Sequence, residues 1–318
     1  MSAAQEWPRI AVVGAGAVGG YFGGVLARAG APVTMIGRPQ FAAAVEREGG
    51  LFLDTLQFQQ RVRIEASTDV SAVRGAELVL FCVKTVDNAE VARALAPVLN
   101  ADAMVLSLQN GVDNVEQIRA AAAIEALPAV VYVAASVPAP GRIKHAGRGD
   151  LVIGPETERT RRIAAIFGRA GVACRISENI EGELWTKLVW NASLNAISAL
   201  GNAKYGRIAA DENARKLVEA LVEEILAVAR AAGVRLPGFE DPQAALAGAL
   251  KIASQLTEAY SSTAQDLQRG KRTEIDSLNG FIARRGASLG VPVPVNAALA
   301  TLVKLAERAN AANCRTFG

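Results

Sequence analysis

Residues 12–20 read VVGAGAVGG, and this stretch is the strongest indication of the fold in the sequence. It follows an apolar segment typical of a buried strand and spaces its glycines as G-x-G-x-x-G. In a dinucleotide-binding turn, the first glycine permits the tight turn and the second lets the backbone approach a pyrophosphate. The third lets the helix pack closely on the strand. A structural glycine turn is the alternative, but the helical segment that follows favours a dinucleotide loop formed by Gly14, Ala15, Gly16, Ala17, Val18 and Gly19.

Strand and helix patterns alternate through the first half of the chain. After the glycine loop come a helical segment and a second strand, APVTMIG, and helical segments are predicted around residues 87–98 and 112–123. This alternation predicts an α/β fold with a doubly wound parallel sheet of the Rossmann type. From about Asn179 onward the pattern is helical, so we predict a dinucleotide-binding domain over 1–179 and a helical domain over 180–318. Further strand candidates are RVRIEA, ELVLFCV, AMVLSL, AVVYVAASV, DLVIG and GVACRIS.

Composition excludes several classes of protein. The chain has 318 residues, 51% of them hydrophobic, and a formal net charge of +3 without a dense basic cluster, so neither nucleic acid nor a membrane is an expected partner. No signal peptide is recognisable at the N-terminus. The three cysteines are scattered, which argues against a disulfide framework and against a zinc site and fits a reducing cytoplasm. No metal is therefore expected.

The end of the second strand indicates which dinucleotide is bound. NAD sites usually carry an acidic residue there for the ribose 2′-hydroxyl, but this sequence has Gly37 and Arg38. A guanidinium can hold a 2′-phosphate through paired, charge-assisted hydrogen bonds, which favours NADPH. Lys84, after the strand ELVLFCV, lies at another carboxyl end and is a candidate to share the phosphate. The alternative for both residues is a solvated surface charge.

Two further polar positions limit the possible chemistry. Asn110 follows the strand AMVLSL, where it either faces the nicotinamide end of the cofactor or simply forms a turn with Gly111. His145 is the only histidine of the chain and is expected on the surface of a hairpin or loop. An enzyme with this sequence would therefore use lysine, glutamate or aspartate as its proton donor.

The segment KLVWNASLN, residues 187–195, places Lys187, Asn191 and Asn195 four residues apart in an otherwise apolar run. On a helix this spacing puts all three on one face. Asparagine is a mediocre residue for a helix interior, so the stripe is either a solvated face or the wall of a polar pocket. A solvated face would carry more charged residues, which favours the pocket.

Together these stretches resemble the ketopantoate reductase (2-dehydropantoate 2-reductase) family over nearly the whole chain. The resemblance implies a Rossmann domain followed by an all-helical domain like that of 6-phosphogluconate dehydrogenase. The motifs that carry the resemblance are GAGAVGGYFGGVLARAG, GRPQ, FCVKTVDN, LQNGVDN, ELWTKLVWNASLNAISAL and SSTAQDLQRGKRTEIDSLNG. The first of these motifs is generic to dinucleotide-binding proteins, whereas the last two are much more specific to the family.

The resemblance also implies roles for individual residues. Lys187 matches the catalytic lysine and Glu274 the active-site glutamate of the family. Arg38 and Lys84 match contacts to the NADP 2′-phosphate, and Asn110 matches an asparagine near the nicotinamide. The positions that match substrate contacts are Asn191, Asn195 and Ser262.

Local patterns supply other interpretations for the last two motif residues. Ser262 is predicted on one long helix, KIASQLTEAYSSTAQDLQRG, where a serine is usually only tolerated. Glu274 is predicted in the first turn of a helix that begins near Thr273, where an acid complements the helix dipole. Thr273 and Asp276 have the spacing of a capping box.

Two positions depart from the family pattern. Tyr205 stands where some members have a further substrate-contacting asparagine, and Ala259 stands where some have a polar residue. We therefore expect an NADPH-dependent reductase of 2-dehydropantoate, monomeric or homodimeric, with Lys187 as proton donor. The rivals are a reductase of another 2-oxo acid on the same fold and a sensor that holds NADP(H) without turnover. An opine-type dehydrogenase would need an amine site, and the sequence indicates none.

Overall fold

The strand that leads into the glycine loop lies inside a large mixed sheet. A computed structural model describes residues 6–239 and 241–316, with side chains described through residue 310. The chain divides into two units, the first ending at Ile180 and the second beginning at Glu181. The strands of the first unit, all within the described residues, are β1 Ile10–Val13, β2 Val33–Ile36, β3 Leu51–Asp54, β4 Gln59–Val62, β5 Glu65–Ser67, β6 Leu78–Phe81, β7 Met104–Ser107, β8 Ala126–Ala139, β9 Arg142–Ile153 and β10 Cys174–Ile176.

The parallel part of this sheet has the Rossmann strand order. Its neighbours run β5-β2-β1-β6-β7-β8, and each adjacent pair is parallel. Strand β8 then forms a long antiparallel hairpin with β9. Helices connect most of the parallel strands, because parallel neighbours need a crossover connection. They are α1 Ala17–Arg28, α2 Pro39–Glu48, α3 Asn88–Leu95 and α4 Asn114–Ala122, and α5 Glu158–Arg169 follows the hairpin.

Apolar residues cover both faces of the parallel strands. On β1, Ile10 and Val12 belong to a cluster that includes Phe22 of α1, whereas Ala11 and Val13 belong to a second cluster with residues of α3 and α4. Successive side chains of a strand point to opposite faces, so the continuous apolar run of β1 is what a strand covered on both sides requires. The structure therefore confirms the predicted α/β fold with a doubly wound sheet.

The predicted strand RVRIEA is wrong in detail, because it comprises parts of two strands. Strand β4 pairs antiparallel with β3 at one edge of the sheet, and β5 pairs parallel with β2 at the other edge. Only residues 63–64 separate them. Three residue steps span at most about 11 Å, so the two edges approach each other here and the sheet curls around α1. Strand β3 was absent from the prediction.

His145 lies in a hairpin, as expected, but the expectation that it is on the surface is wrong. It lies in β9 and is only 4% exposed, with its ring stacked on that of Tyr21 at a centroid distance of 4.4 Å. The extended β8–β9 hairpin carries this segment across α1, and a local sequence window does not reveal that packing. His145 is therefore a core residue, with Nε2 at 2.6 Å from the carbonyl oxygen of Arg148.

The second unit is helical, as predicted. Its first helix, α6 (Ile180–Leu200), is buried around most of its circumference: Val189, Ala192 and Ser193 are all 0% exposed. Among the described residues, no helix combines the length and the apolar composition needed to cross a membrane. The remaining helices are α7 Tyr205–Ala210, α8 Glu212–Ala231, α9 Pro242–Gln255, α10 Ser262–Gln268, α11 Asn279–Leu289 and α12 Pro294–Thr316.

Candidate functional site

The glycine loop has the backbone geometry that its sequence predicts. Gly14 has φ +105°, and a Cβ there would lie 2.7 Å from the backbone of Cys82 and Val83. A Cβ on Gly19 would lie 2.2 Å from the carbonyl oxygen of Gly14, so this glycine permits the close approach of α1 to the turn. A Cβ on Gly16, in contrast, would meet nothing within 4 Å. The turn is thus tightly packed at Gly14 and Gly19 and open at Gly16, where a ligand would approach.

The amino end of α1 is suited to an anion. Its N-cap is Gly16, which makes no side-chain cap, and its first turn contains no acidic residue. The first N–H groups of a helix lack partners within the helix and carry the positive end of its dipole. Burial also raises the pKa of the Cys82 thiol, which keeps it uncharged beside the turn. These features fit a pyrophosphate at residues 14–19.

Arg38 lies next to this loop. The carbonyl oxygen of Ile36, at the end of β2, accepts hydrogen bonds from the N–H groups of Gly14 (3.0 Å) and Ala15 (3.2 Å). Two residues further on, Arg38 is exposed at the N-cap of α2, whose first turn also lacks an acid. The backbone therefore places a guanidinium, rather than a carboxylate, just after the end of β2.

Lys84 follows β6, the strand on the other side of β1. The N–H of Cys82 donates to the carbonyl oxygen of Val13 at 2.8 Å, which aligns the ends of the two strands. Lys84 is half-buried and forms the N-cap of a short 3-10 turn, Thr85–Asp87. The structure thus brings Arg38 and Lys84 to the strand ends that flank the glycine loop.

A buried network of amides, which was not predicted from the sequence, connects the loop after β6 with the loop after β7. Gln109 Nε2 donates to the carbonyl oxygen of Val83 (2.8 Å) and to Asn88 Oδ1 (2.6 Å). Asn88 Nδ2 donates to Asn114 Oδ1 at 3.0 Å, and Asn114 Nδ2 donates to the carbonyl oxygen of Asn110 at 2.7 Å. The network therefore holds the backbone at Asn110 in place. Its signal in the sequence was the amide-rich pair FCVKTVDN and LQNGVDN.

The polar stripe on α6 becomes more buried along the helix. Lys187 and Asn191 are half-buried, and Asn195 is only 3% exposed. The apolar positions between them are in the core, including Leu188 and Val189. A solvated face would expose all three polar residues, so this burial supports a pocket wall.

Asn195 is held by Tyr205, one of the two residues that depart from the family pattern. The Tyr205 hydroxyl donates to Asn195 Oδ1 at 2.8 Å. The Tyr205 N–H in turn donates to the carbonyl oxygen of Ala259, the other departure, at 3.0 Å. The two unusual positions therefore belong to one corner around Asn195.

Ser262 is not on a long helix, so that prediction is wrong. Helix α9 ends at Gln255 and α10 begins at Ser262. The break forms because Ser261 caps α10: its Oγ accepts from the N–H of Ala264 (3.0 Å) and donates to the carbonyl oxygen of Asn195 (3.0 Å). Ser262 itself is exposed in the first turn of α10, whereas Ser261 is 1% exposed and ties this turn to α6.

Glu274 lies in a turn that α12 holds on both sides, and the predicted capping box is wrong. Glu274 is the N-cap of a short 3-10 turn, Ile275–Ser277. The Thr273 hydroxyl accepts from the N–H of Ile275 at 3.2 Å rather than from that of Asp276, and the N–H of Thr273 donates to Glu307 Oε1 at 2.6 Å. The Asp276 carboxylate accepts from Lys304 Nζ at 2.8 Å. Side chains that are distant in sequence, rather than a local cap, therefore fix the position of Glu274.

The candidate residues form two groups, one in each unit. Residues 14–19, Arg38, Lys84 and Asn110 lie at the carboxyl ends of neighbouring parallel strands, where ligands bind in such sheets. The second group is centred on α6. Among the described residues, no cluster of three or more histidine, cysteine or acidic side chains has the arrangement of a metal site. The arrangement suits a dinucleotide-dependent oxidoreductase.

Comparison with known families defines the group to which the chain belongs. The family described as "Ketopantoate reductase PanE/ApbA" matches residues 10–158, and "Ketopantoate reductase PanE/ApbA C terminal" matches residues 179–307. The chain belongs to the ketopantoate reductase family. A 2-dehydropantoate 2-reductase of Halobacterium salinarum is 34% identical over 311 residues, which cover 94% of this chain and 99% of the relative.

Solved structures agree with this assignment. A PanE/ApbA family ketopantoate reductase from Ralstonia eutropha JMP134 is 49% identical with a TM-score of 0.89, covering 95% of this chain and 99% of its own. D-mandelate dehydrogenase, solved with NADH and anilino(oxo)acetate, has a TM-score of 0.87 at 23% identity, covering 95% of this chain and 99% of its own. The second likeness concerns the fold alone.

Proposed function

We propose that this protein reduces 2-dehydropantoate to pantoate with NADPH, a step toward pantothenate and coenzyme A, and that Lys187 donates the proton. The observation that carries the proposal is the α6 stripe, on which one lysine and two amides stand four residues apart on a mostly buried helix. Membership of the ketopantoate reductase family supports the choice of substrate.

The first unit would hold the cofactor. The N–H groups of residues 14–19 would bind the pyrophosphate at the open side of Gly16, and Arg38 and Lys84 would bind the 2′-phosphate. Asn110, whose backbone the amide network holds, would lie at the nicotinamide end. When bound, NADPH supplies a hydride to the carbonyl carbon of the substrate.

The second unit would supply the proton and bind the substrate. As the carbonyl carbon gains a hydride, the carbonyl oxygen gains negative charge and takes a proton from Lys187 Nζ, so the ketone becomes a secondary alcohol. Asn191, Asn195 and Ser262 would hold the polar groups of the substrate. Glu274 would accept a hydrogen bond from the substrate hydroxyl or orient Lys187. In this proposal residues 1–179 form the NADP-binding domain and 180–318 the substrate domain, in a cytoplasmic enzyme.

The experiment is NADPH oxidation by the purified protein, followed by nicotinamide absorbance, with 2-dehydropantoate and a panel of other 2-oxo acids. We expect 2-dehydropantoate to give the highest kcat/KM, and NADPH to be preferred over NADH. A higher kcat/KM with another 2-oxo acid would keep the lysine chemistry and change the substrate. Bound NADPH without oxidation in the presence of any 2-oxo acid would contradict the proposal and favour a sensor.

A further inference from the structure

The corner around Asn195 contains a residue with no assigned role in the reaction proposed above. Asn195 is 3% exposed, and its Oδ1 accepts a hydrogen bond from the Tyr205 hydroxyl at 2.8 Å. Tyr205 begins α7, and its backbone is anchored to the segment before Ser261. The N–H of Tyr205 donates to the carbonyl oxygen of Ala259, and the N–H of Gly206 donates to the carbonyl oxygen of Thr257 at 3.1 Å. The hydroxyl is thus held at a fixed place relative to the asparagine.

The direction of this hydrogen bond follows from the amide atom that faces the phenol, which is Asn195 Oδ1. Burial raises the pKa of the Tyr205 phenol well above its usual value, so the hydroxyl keeps its proton throughout the physiological range. An amide oxygen can only accept and an amide nitrogen can only donate. Tyr205 therefore acts as the donor and Asn195 Oδ1 as the acceptor.

The amide nitrogen remains for a ligand. In the part of the chain whose side chains are described, no acceptor takes a hydrogen bond from Asn195 Nδ2, whereas Oδ1 is occupied. The main chain at Asn195 is also fixed, because Ser261 Oγ donates to its carbonyl oxygen at 3.0 Å. With one lone pair of the oxygen taken by Tyr205 and the backbone fixed, the N–H groups are the donors that the side chain presents to a ligand.

We propose that Tyr205 is a positioning residue that orients the amide of Asn195, so that its N–H groups meet a hydrogen-bond acceptor oxygen of the 2-oxo acid. The inference rests on the substrate-binding role proposed above for Asn195. An asparagine that can rotate freely would offer either its oxygen or its nitrogen. A flipped amide would leave the buried Tyr205 hydroxyl hydrogen without an acceptor among the described residues, so the tyrosine favours the orientation seen here. This pre-organises the donor and lowers the cost of binding the substrate.

The test is a double-mutant cycle between Tyr205→Phe and Asn195→Ala, with KM and kcat measured for the 2-oxo acid that the wild-type protein reduces. Tyr205→Phe keeps the ring and removes only the hydroxyl. We expect it to raise KM for the 2-oxo acid about tenfold, the effect of losing one such hydrogen bond, with kcat and the KM for NADPH almost unchanged. In the Asn195→Ala background the same change should have no further effect, because Tyr205 acts through Asn195.

A second variant tests the donor assignment. Asn195→Asp retains the acceptor for Tyr205 but replaces the amide nitrogen with an oxygen, so KM for the 2-oxo acid should rise at least as much as in Asn195→Ala. Tyr132→Phe is the matched control, since its ring lies 3.9 Å from the Arg148 guanidinium carbon and a phenylalanine preserves that contact. It should leave the KM for the 2-oxo acid unchanged. Thermal unfolding of every variant shows whether the fold is retained.

Three results would overturn the inference while the wild-type protein remains active: an unchanged KM in Tyr205→Phe, the same rise in KM in both backgrounds, or a wild-type KM in Asn195→Asp. A lowered melting temperature with an unchanged KM would assign Tyr205 a structural role only. Failure of the proposed function looks different, because the wild-type protein would then reduce no 2-oxo acid, and the substrate role of Asn195 would fail with it.

Discussion

The candidate sites of the two units are formed in different ways. In the first unit the glycine loop is made of backbone, and residues that are close in sequence define it: Gly14 and Gly19 each meet a separate steric requirement, and Gly16 leaves the turn open. In the second unit the site is made of side chains on α6, and residues that are far away in sequence hold it. Asn279 Nδ2, for example, donates at 2.7 Å to the carbonyl oxygen of Ala192 on α6, which lies 87 positions earlier in the chain. A backbone site can therefore be recognised from spacing, whereas a side-chain site depends on tertiary contacts.

The largest effect is expected when the backbone site is broken. Gly14→Ala would place a Cβ 2.7 Å from the backbone of Cys82 at a φ of +105°. The turn must shift to accommodate it, so NADPH affinity should fall more than about 100-fold, because several pyrophosphate contacts change together. Fluorescence titration with NADPH measures this loss.

Gly49→Ala is the matched control for backbone strain. Gly49 also has a positive φ, of +72°, but a Cβ there meets nothing within 4 Å. The Gly49→Ala substitution should lower the free energy of unfolding by about 1–2 kcal/mol, the penalty for a non-glycine residue in the left-handed region. The NADPH affinity should be unchanged. Equal NADPH affinities in the two variants would refute the steric explanation of Gly14.

A smaller effect is expected from the charge beside the loop. Arg38→Ala should raise the KM for NADPH by about 10- to 100-fold, since paired hydrogen bonds to a 2′-phosphate are lost, and leave the KM for NADH nearly unchanged. Steady-state kinetics with both cofactors measure the ratio. Arg93→Ala, at an exposed position on α3, is the control for net charge. An equal loss for NADPH and NADH would show that Arg38 does not recognise the 2′-phosphate.

The smallest of these effects concerns the tertiary support of α6. Asn279 is fully buried, and its Nδ2 donates to the carbonyl oxygen of Ala192 and to Asn296 Oδ1 at 2.9 Å. Asn279→Ala would leave these buried acceptors without that donor, so the free energy of unfolding should fall by about 2 kcal/mol. Urea unfolding measures this change. Ser288→Ala is the control, because the Ser288 hydroxyl on α11 is exposed and donates to the carbonyl oxygen of Arg285, three residues away on the same helix. Stability equal to that of the wild type in Asn279→Ala would contradict this role.

The same contrast explains how much could be predicted from the sequence. The glycine loop, the alternating strands and the change to helices near residue 180 all follow from local spacing and apolar periodicity, and the structure has them. The burial of His145, the break before Ser262 and the turn at Glu274 depend on partners that lie elsewhere in the chain. Nothing in a short window reveals that Tyr205 bonds to Asn195 or that Gln109 joins two loops.

The proposed reaction depends above all on Lys187 as the proton donor. Its most direct test is single-turnover NADPH oxidation by Lys187→Ala with 2-dehydropantoate, beside NADPH binding to the same variant. We predict a rate constant about 10³-fold below the wild type, within the range for loss of a general acid, with NADPH affinity unchanged. Lys251→Ala, an exposed lysine on α9, should match the wild type. A Lys187→Ala rate within a few-fold of the wild type would contradict the role of Lys187.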